Sequence, residues 1–385
     1  MKALHVPRRV MYVANAGWFF ISHRLPIAIA AKAAGDEVHV AVAMDPELDK
    51  DSRRTLEAAG FIVHSLQLSR HGAHPYELIR DWLSLIRLFQ GVRPDIAHLV
   101  TLKPILLGGL ACRLVRIPAT VMAVPGRGTV FSARGPLAMV RRWIVLIGYR
   151  LAYRHRKTRV IVQNVEDRDY FVSRRIFRAE DVSLIRGSGV DTSRFAMLPE
   201  PNGPPIVVFA GRMLREKGAE EFVAAAASLK QQQTPARFVL LGAPDHGNPK
   251  SHTREEIEAW VASGAVEWWG FCHDMERVFA QSHIVCLPTY YGEGVPKVLI
   301  EAAAAGRPII TTNTPGCRDI VRHEFNGLLV PPRDTASLVL ALERLINNAD
   351  ERRAMGERGH RLARAEFAVE LVVEKTLNLY ASIAR

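Results

Sequence analysis

The sequence predicts an α/β protein made of two doubly wound parallel sheets, one per domain, facing across a cleft. Three observations predict it. Short apolar runs alternate with helix-period stretches through most of the 385 residues, the βαβα rhythm of parallel sheets. Two segments open alike, VMYVANAG at 10–17 and IVVFAG at 206–211, each an apolar strand running into a glycine. Between them LPEPNGPP, at 198–205, carries four prolines that can continue neither helix nor sheet, so it reads as a linker.

In the first half, strands are expected at 36–44, 61–68, 95–100, 119–124 and 159–164, separated by helical stretches such as 26–34 and 76–89. The second half repeats the pattern at 237–242, 265–270, 283–288, 307–312 and 327–332, with helices including 220–230 and 298–305. The closing helices, 335–347, 350–363 and 369–383, are amphipathic, have no strand between them and should pack outside the sheets. The expected division is therefore a Rossmann-like domain over 1–198 and another over 199–368, with the helix from about 369 to 385 free to pack back on the first. Ligands of such sheets sit at the carboxyl ends of the strands.

A chain of this length exceeds one ordinary core, and 48% hydrophobic with 23% charged residues is a globular composition. Cys112, Cys272, Cys286 and Cys317 are scattered without CxxC or Cys/His spacing, which fits a reducing compartment and argues against structural zinc. Arg8 and Arg9 before Val10–Ala16 imitate a signal peptide, but Asn15 and the Ser22-His23-Arg24 run interrupt any apolar core. No stretch reaches the ~18 apolar residues of a membrane span. The net charge of +12 is lopsided: residues 1–195 hold 30 Lys+Arg against 16 Asp+Glu, net +14, and the remainder 21 against 23, net −2. A basic first half suits nucleic acid, anionic lipid or a phosphorylated substrate, and charge alone does not choose.

The segment YYGEGVPKVLIEAAAAGRPII, 290–310, runs from a strand end through a glycine turn into a helix. Free amides at that helix start attract anions, so Glu293, Gly294 and Val295 stand beside an expected phosphate, and Glu301 is placed to reach a neighbouring ribose. The plainer reading makes Glu293 a partner of the helix dipole and Glu301 a solvated helical residue. GRMLREKG, 211–218, puts Arg212 and Lys217 at the end of the first strand of the second domain, the two cations that a diphosphate needs when no metal neutralises it. In the first domain Gly17 either lets the backbone approach the donor phosphates closely in the first βα turn or makes an ordinary tight turn. His98 stands at the end of DIAHLV as either an acceptor contact or a satisfied core histidine. Lys103, with His23 and Arg24, is either a candidate for binding an acceptor phosphate or part of a solvated surface. The Asp167-Arg168-Asp169 triplet looks like a D-x-D metal signature, but it follows a strand and reads better as carboxylates entering a helix. No essential metal or other cofactor is expected.

The G-R-x-x-x-E-K-G of 211–218, the E-G-x-P-x-x-x-x-E of 293–301 and the A-x-x-x-G-x-P ending at Pro308 together resemble the retaining glycosyltransferases of family 4, with GT-B fold. GSGVDTSRF, NGLLVPPRD and QNVEDRDYF extend the resemblance over nearly the whole chain, and NAGWFFISHRLPIA, HLVTLKPILLGG and VPGRGTVF are similar to the capsule and lipid-linked oligosaccharide branch. The resemblance implies that Arg212 and Lys217 hold the donor diphosphate, that the turn from Glu293 to Val295 contacts phosphate and sugar hydroxyls, and that Glu301 binds the ribose. It implies transfer of a sugar from a UDP-linked donor to an undecaprenyl diphosphate saccharide, with the first domain receiving the acceptor. A nucleotide-sugar 2-epimerase of the same fold is the nearest alternative. A nucleic-acid-binding protein is a distant one, since no recognition module supports it, and no nucleic-acid partner is expected.

Residues 136–160 combine Trp143, Ile144, Val145, Leu146 and Ile147 with Arg141, Arg142, Arg150, Arg154, Arg156, Lys157 and Arg159. Such a helix either lies on an anionic bilayer surface or is a core helix with a basic outer edge. The expected location is peripheral, on the cytoplasmic face of the inner membrane.

Overall fold

The computed structural model describes residues 7–44, 49, 51–68, 74–132, 135–155, 157–245 and 247–383; Arg156 lies outside them. Thirteen strands form two wholly parallel sheets among these residues. The first comprises Arg9–Ala14 (β1), Glu37–Ala43 (β2), Ile62–Leu66 (β3), Ile96–Val100 (β4), Ala119–Val124 (β5), Thr158–Val162 (β6) and Val182–Leu184 (β7), ordered β3-β2-β1-β4-β5-β6-β7. The second comprises Ile206–Ala210 (β8), Arg237–Leu241 (β9), Glu267–Gly270 (β10), Ile284–Leu287 (β11), Ile309–Thr312 (β12) and Gly327–Val330 (β13), ordered β10-β9-β8-β11-β12-β13.

Each sheet is covered on both faces, so its strands are apolar throughout instead of alternating. Met11 and Val13 of β1 enter one core, and Val10, Tyr12 and Ala14 enter the other. In the second sheet Val207 and Phe209 face one side and Val208 and Ala210 the other. Strand order reverses between β1 and β4, and between β8 and β11. Those switch points open a crevice at the strands' carboxyl ends.

Contacts group residues 1–188 and 370–385 into one compact unit and residues 189–369 into the other. The proline segment expected to link domains at 198–205 is instead pinned within the second unit. Arg307 donates to the Pro199 carbonyl at 3.2 Å, Arg352 holds Glu200 in a two-pronged ion pair, and His283 Nε2 lies 2.9 Å from the Pro201 carbonyl. Proline content signals irregular backbone, but side-chain partners decide where it is fixed.

Two other expectations change. β7 follows from no apolar run; three residues suffice because β6 supplies a template edge. The first helix runs Gly17–Ala33 with Pro26 inside it, although sequence placed its start at Pro26. Proline deletes one intrahelical bond, yet Phe20, Arg24, Ile27, Ala28 and Ala31 are buried, and packing of that face outweighs the lost bond.

The last helix, Val369–Ile383, supplies Val372, Leu379, Tyr380 and Ile383 to the core beside Tyr12 in the first unit. No helix among the described residues is long and apolar enough to cross a membrane.

Candidate active site

Arg212 follows β8 directly, and residues Arg215–Lys217 make a single tight turn ended by Gly218 at φ +83°. A Cβ on Gly218 would overlap the Pro288 carbonyl oxygen, so only glycine lets this turn lie against the end of β11. The Glu216 carbonyl seals the join, accepting from Tyr290 N–H at 2.9 Å and from Thr289 Oγ1 at 3.1 Å. Two motifs separated by some 75 residues are thereby fastened together at the switch point.

Within this join Lys217 Nζ lies 2.6 Å from Glu293 Oε1, with both side chains largely buried. Thr289 Oγ1 lies 3.3 Å from the same oxygen. Arg212 Nη1 donates to Asp245 Oδ2 at 2.8 Å, and Asn248 fixes that oxygen at 3.1 Å. Asp245 is itself buried. Tyr291 stands beside both cations: the charge of Arg212 bears on its hydroxyl, and Lys217 Nζ lies 5.9 Å from its ring centre. Burial pushes the Tyr291 hydroxyl above its ordinary value against the pull of Arg212. Lys250 pairs with Glu216. Each cation thus arrives with a carboxylate, which leaves little excess charge at these strand ends.

The Lys297–Ala304 helix starts just beyond the turn, with Pro296 as its cap. Behind the turn Gly316, at φ +79°, approaches so closely that a Cβ there would overlap the Gly294 carbonyl oxygen. Glu301 is buried, as its alanine neighbours suggest, and pairs with Lys297 Nζ at 3.0 Å. Burial raises its pKa, with Lys297 opposing.

The residues singled out in the first unit are not drawn together in the same way. A Cβ on Gly17 would meet Asp49 Oδ1 at 2.7 Å, and Asp49 accepts from the Trp18 N–H. A carboxylate of the chain therefore stands at this helix start, where sequence expected a ligand phosphate. His98 is fully buried, its Nδ1 2.5 Å from Tyr380 Oη, which in turn donates to Tyr12 Oη at 3.1 Å. Burial, then Arg24, hold its pKa well below the ordinary value. Arg24 is 3% exposed, and burial lowers its pKa to about 10. Both are core residues here. His23 is half-buried and stacked on Phe19 at 4.3 Å. Lys103 sits just beyond the end of β4; burial lowers its pKa, and Asp81 and Glu77 counter that. Beside it, Thr101 has the left-handed φ of +77° and its hydroxyl donates to Asn15 at the end of β1.

Asp167 is occupied by Arg127 at 2.7 Å and by Asn164, whose side chain accepts from the Asp167 N–H as the helix cap. Asn164, not either aspartate, does the capping. No cluster of three or more His, Cys, Asp or Glu among the described residues could hold a metal.

Asp245, Thr289 and Gly316 escaped sequence reading. Asp245 had one available signal: it stands in the turn-rich GAPDHGN, 242–248, just past an expected strand end.

Two parallel sheets, with paired cations and a glycine turn at a switch point, define a glycosyltransferase of GT-B architecture. The chain matches the model described as "Glycosyl transferase 4-like" over residues 9–164 and that of "Glycosyl transferases group 1" over 191–362. It belongs to glycosyltransferase family 4.

Among solved structures it resembles HepE from Anabaena, determined with UDP and glucose, with TM-score 0.79 and 16% identity over 97% of this chain and 100% of that one. Sucrose-phosphate synthase of Thermosynechococcus elongatus gives TM-score 0.78 and 22% identity, covering 98% and 99%. These likenesses concern the fold. Among curated relatives, the N,N'-diacetylbacillosaminyl-diphospho-undecaprenol alpha-1,3-N-acetylgalactosaminyltransferase of Campylobacter jejuni is 24% identical over 98% of this chain and 99% of that protein. The UDP-Gal:alpha-D-GlcNAc-diphosphoundecaprenol alpha-1,3-galactosyltransferase of Escherichia coli is 25% identical over 70% and 72%.

Proposed function

We propose that the chain transfers a sugar, with retention of anomeric configuration, from a UDP-linked donor to a saccharide carried on undecaprenyl diphosphate. The observation that carries this reading is the convergence of Lys217, Glu293 and Arg212 at the carboxyl ends of β8 and β11. The names of the two curated relatives, which specify diphosphoundecaprenol acceptors, support it.

Arg212 and Lys217 take the donor diphosphate, joined by amides of the turn at Gly294 and Val295 and by the helix start behind them. Glu293, its charge balanced by Lys217, accepts hydrogen bonds from sugar hydroxyls, and Glu301 accepts from the ribose. As the bond from anomeric carbon to phosphate oxygen breaks, negative charge grows on the diphosphate, where these donors stabilise it. The acceptor hydroxyl attacks from the side the leaving group vacates and passes its proton to the departing phosphate. No protein base and no metal are required, so transfer should persist in excess EDTA. Lys103 and His23 remain the acceptor-side candidates, since Arg24 and His98 are buried.

The acceptor brings the chain to the cytoplasmic face of a membrane. On the Pro136–Tyr153 helix Leu137, Val140, Ile144, Ile147 and Leu151 are exposed at steps of three and four, one stripe of an α-helix. The basic excess of residues 1–195 complements an anionic lipid surface.

A panel of UDP-sugars and GDP-mannose, assayed for donor consumption with and without lipid-linked acceptor, examines the whole reading. Consumption of a UDP-sugar only when acceptor is present is expected. Turnover to an epimer without acceptor would overturn it.

A further inference from the structure

A second polar pocket, of about 430 Å³, lies in the first unit and is lined by Arg113, Tyr153, Arg154, His155, Thr158, Arg159, Arg178 and Asp181. Its volume falls within the ~300 to 1,000 Å³ of small-molecule sites. It is distinct from the strand ends discussed above. Thr158 opens β6 and Asp181 immediately precedes β7, which places the pocket at the amino-terminal edge of a parallel sheet whose carboxyl-terminal edge carries Gly17 and Lys103.

Four arginines face one carboxylate in this pocket, and that carboxylate is already engaged. Asp181 receives Arg159 Nη1 at 2.7 Å and Arg178 Nε at 3.1 Å, and it also accepts from the Tyr153 hydroxyl. Arg113 and Arg154 have no ion pair among the described residues; Arg113 only grazes the Leu151 carbonyl at 3.4 Å. His155 Nδ1 is buried with no hydrogen-bond partner. Burial, then Arg113, hold the imidazole below its usual pKa. Two guanidinium groups without an ion pair among the described residues, both lining one cavity, suit a phosphate.

Position indicates whose phosphate. Tyr153 and Arg154 end the Pro136–Tyr153 helix, and the Leu151 carbonyl that Arg113 touches belongs to the last residue of the exposed apolar stripe. We propose that this pocket seats the phosphate of an anionic membrane lipid headgroup while the stripe from Leu137 to Leu151 lies in the lipid. The proposal rests on the membrane reading above. It adds a specific polar anchor at one end of an apolar one, fixing the helix's direction on the surface where a stripe alone leaves it free to slide and turn.

The experiment compares cosedimentation with phosphatidylcholine vesicles, with and without phosphatidylglycerol, and calorimetric titration with glycerol phosphate as a soluble headgroup. Wild type should bind phosphatidylglycerol vesicles and give heat with glycerol phosphate. Arg113→Ala with Arg154→Ala should lose the heat and bind those vesicles roughly tenfold more weakly. Ile144→Glu with Ile147→Glu should lose vesicles and keep the heat. Should the double alanine variant melt, Arg154→Glu alone, at an exposed position, carries the same expectation. Vesicle affinity of the arginine variants within twofold of wild type overturns the proposal. Loss of heat with vesicle affinity unchanged also overturns it, making the occupant a soluble phosphate. Wild type that fails to sediment with phosphatidylglycerol sinks the membrane reading itself.

Discussion

Lys217 and Glu293, from two motifs far apart in sequence, meet at 2.6 Å in the second unit. The pair lets a carboxylate stay beside an expected anion, because Lys217 cancels its charge while keeping donors directed outward. Lys217→Ala leaves Glu293 unbalanced next to the diphosphate, and Glu293→Gln leaves Lys217 without its anchor. Each should lower kcat/KM about 100-fold or more while the melting transition is preserved. Near-normal turnover in either would remove these residues from the chemistry.

In the proposed reading Asp245 is a positioning residue that holds Arg212 where the diphosphate would arrive. Asp245→Asn removes a charge-assisted hydrogen bond of ~1.5–3 kcal/mol. UDP affinity should fall about 10- to 100-fold, and Arg212→Ala combined with it should cost little more than Arg212→Ala alone. Additive losses in calorimetry would show that Asp245 acts independently of Arg212.

Glu301 gives a pH signature. Its carboxyl binds a proton more tightly when folded, because burial outweighs Lys297. From the ordinary carboxylate range up to that raised folded value, the folded protein holds more protons than the unfolded chain, so this contribution is complete at low pH and is lost as pH rises. Glu301→Gln should therefore melt higher than wild type at mildly alkaline pH, with the gap closing in acid, and should bind UDP more weakly. A gap that widens toward acid would reverse the sign assigned here.

Tyr380 ties the last helix to β1 and β4. Tyr380→Phe strands His98 Nδ1, on a ring whose Nε2 already lacks a partner, at a cost of about 1–3 kcal/mol. Urea unfolding followed by first-unit tryptophan emission should show that loss, with UDP binding unchanged. An unaltered midpoint would mean the bond contributes nothing net.

Strands were legible because burial on both faces writes continuous apolar runs, and the two glycine turns at their ends because turn chemistry there has few solutions. What escaped depends on partners distant in sequence. Nothing local to His98 reveals Tyr380, some 280 residues away. Asp245 becomes meaningful only once Arg212 is beside it. The Leu198–Pro205 segment read as a linker because the Arg307 and Arg352 that grip it lie more than 100 residues later.

The return of residues 370–383 to the first unit bears on how the molecule is made. The ribosome completes the second unit before it releases the segment that closes the first, so the first cannot finish by itself during synthesis. In topological terms the second unit is an insertion into the first. A nascent chain halted after Ala368 would leave Tyr12 and His98 facing water, a vulnerable stage for proteases and chaperones to meet.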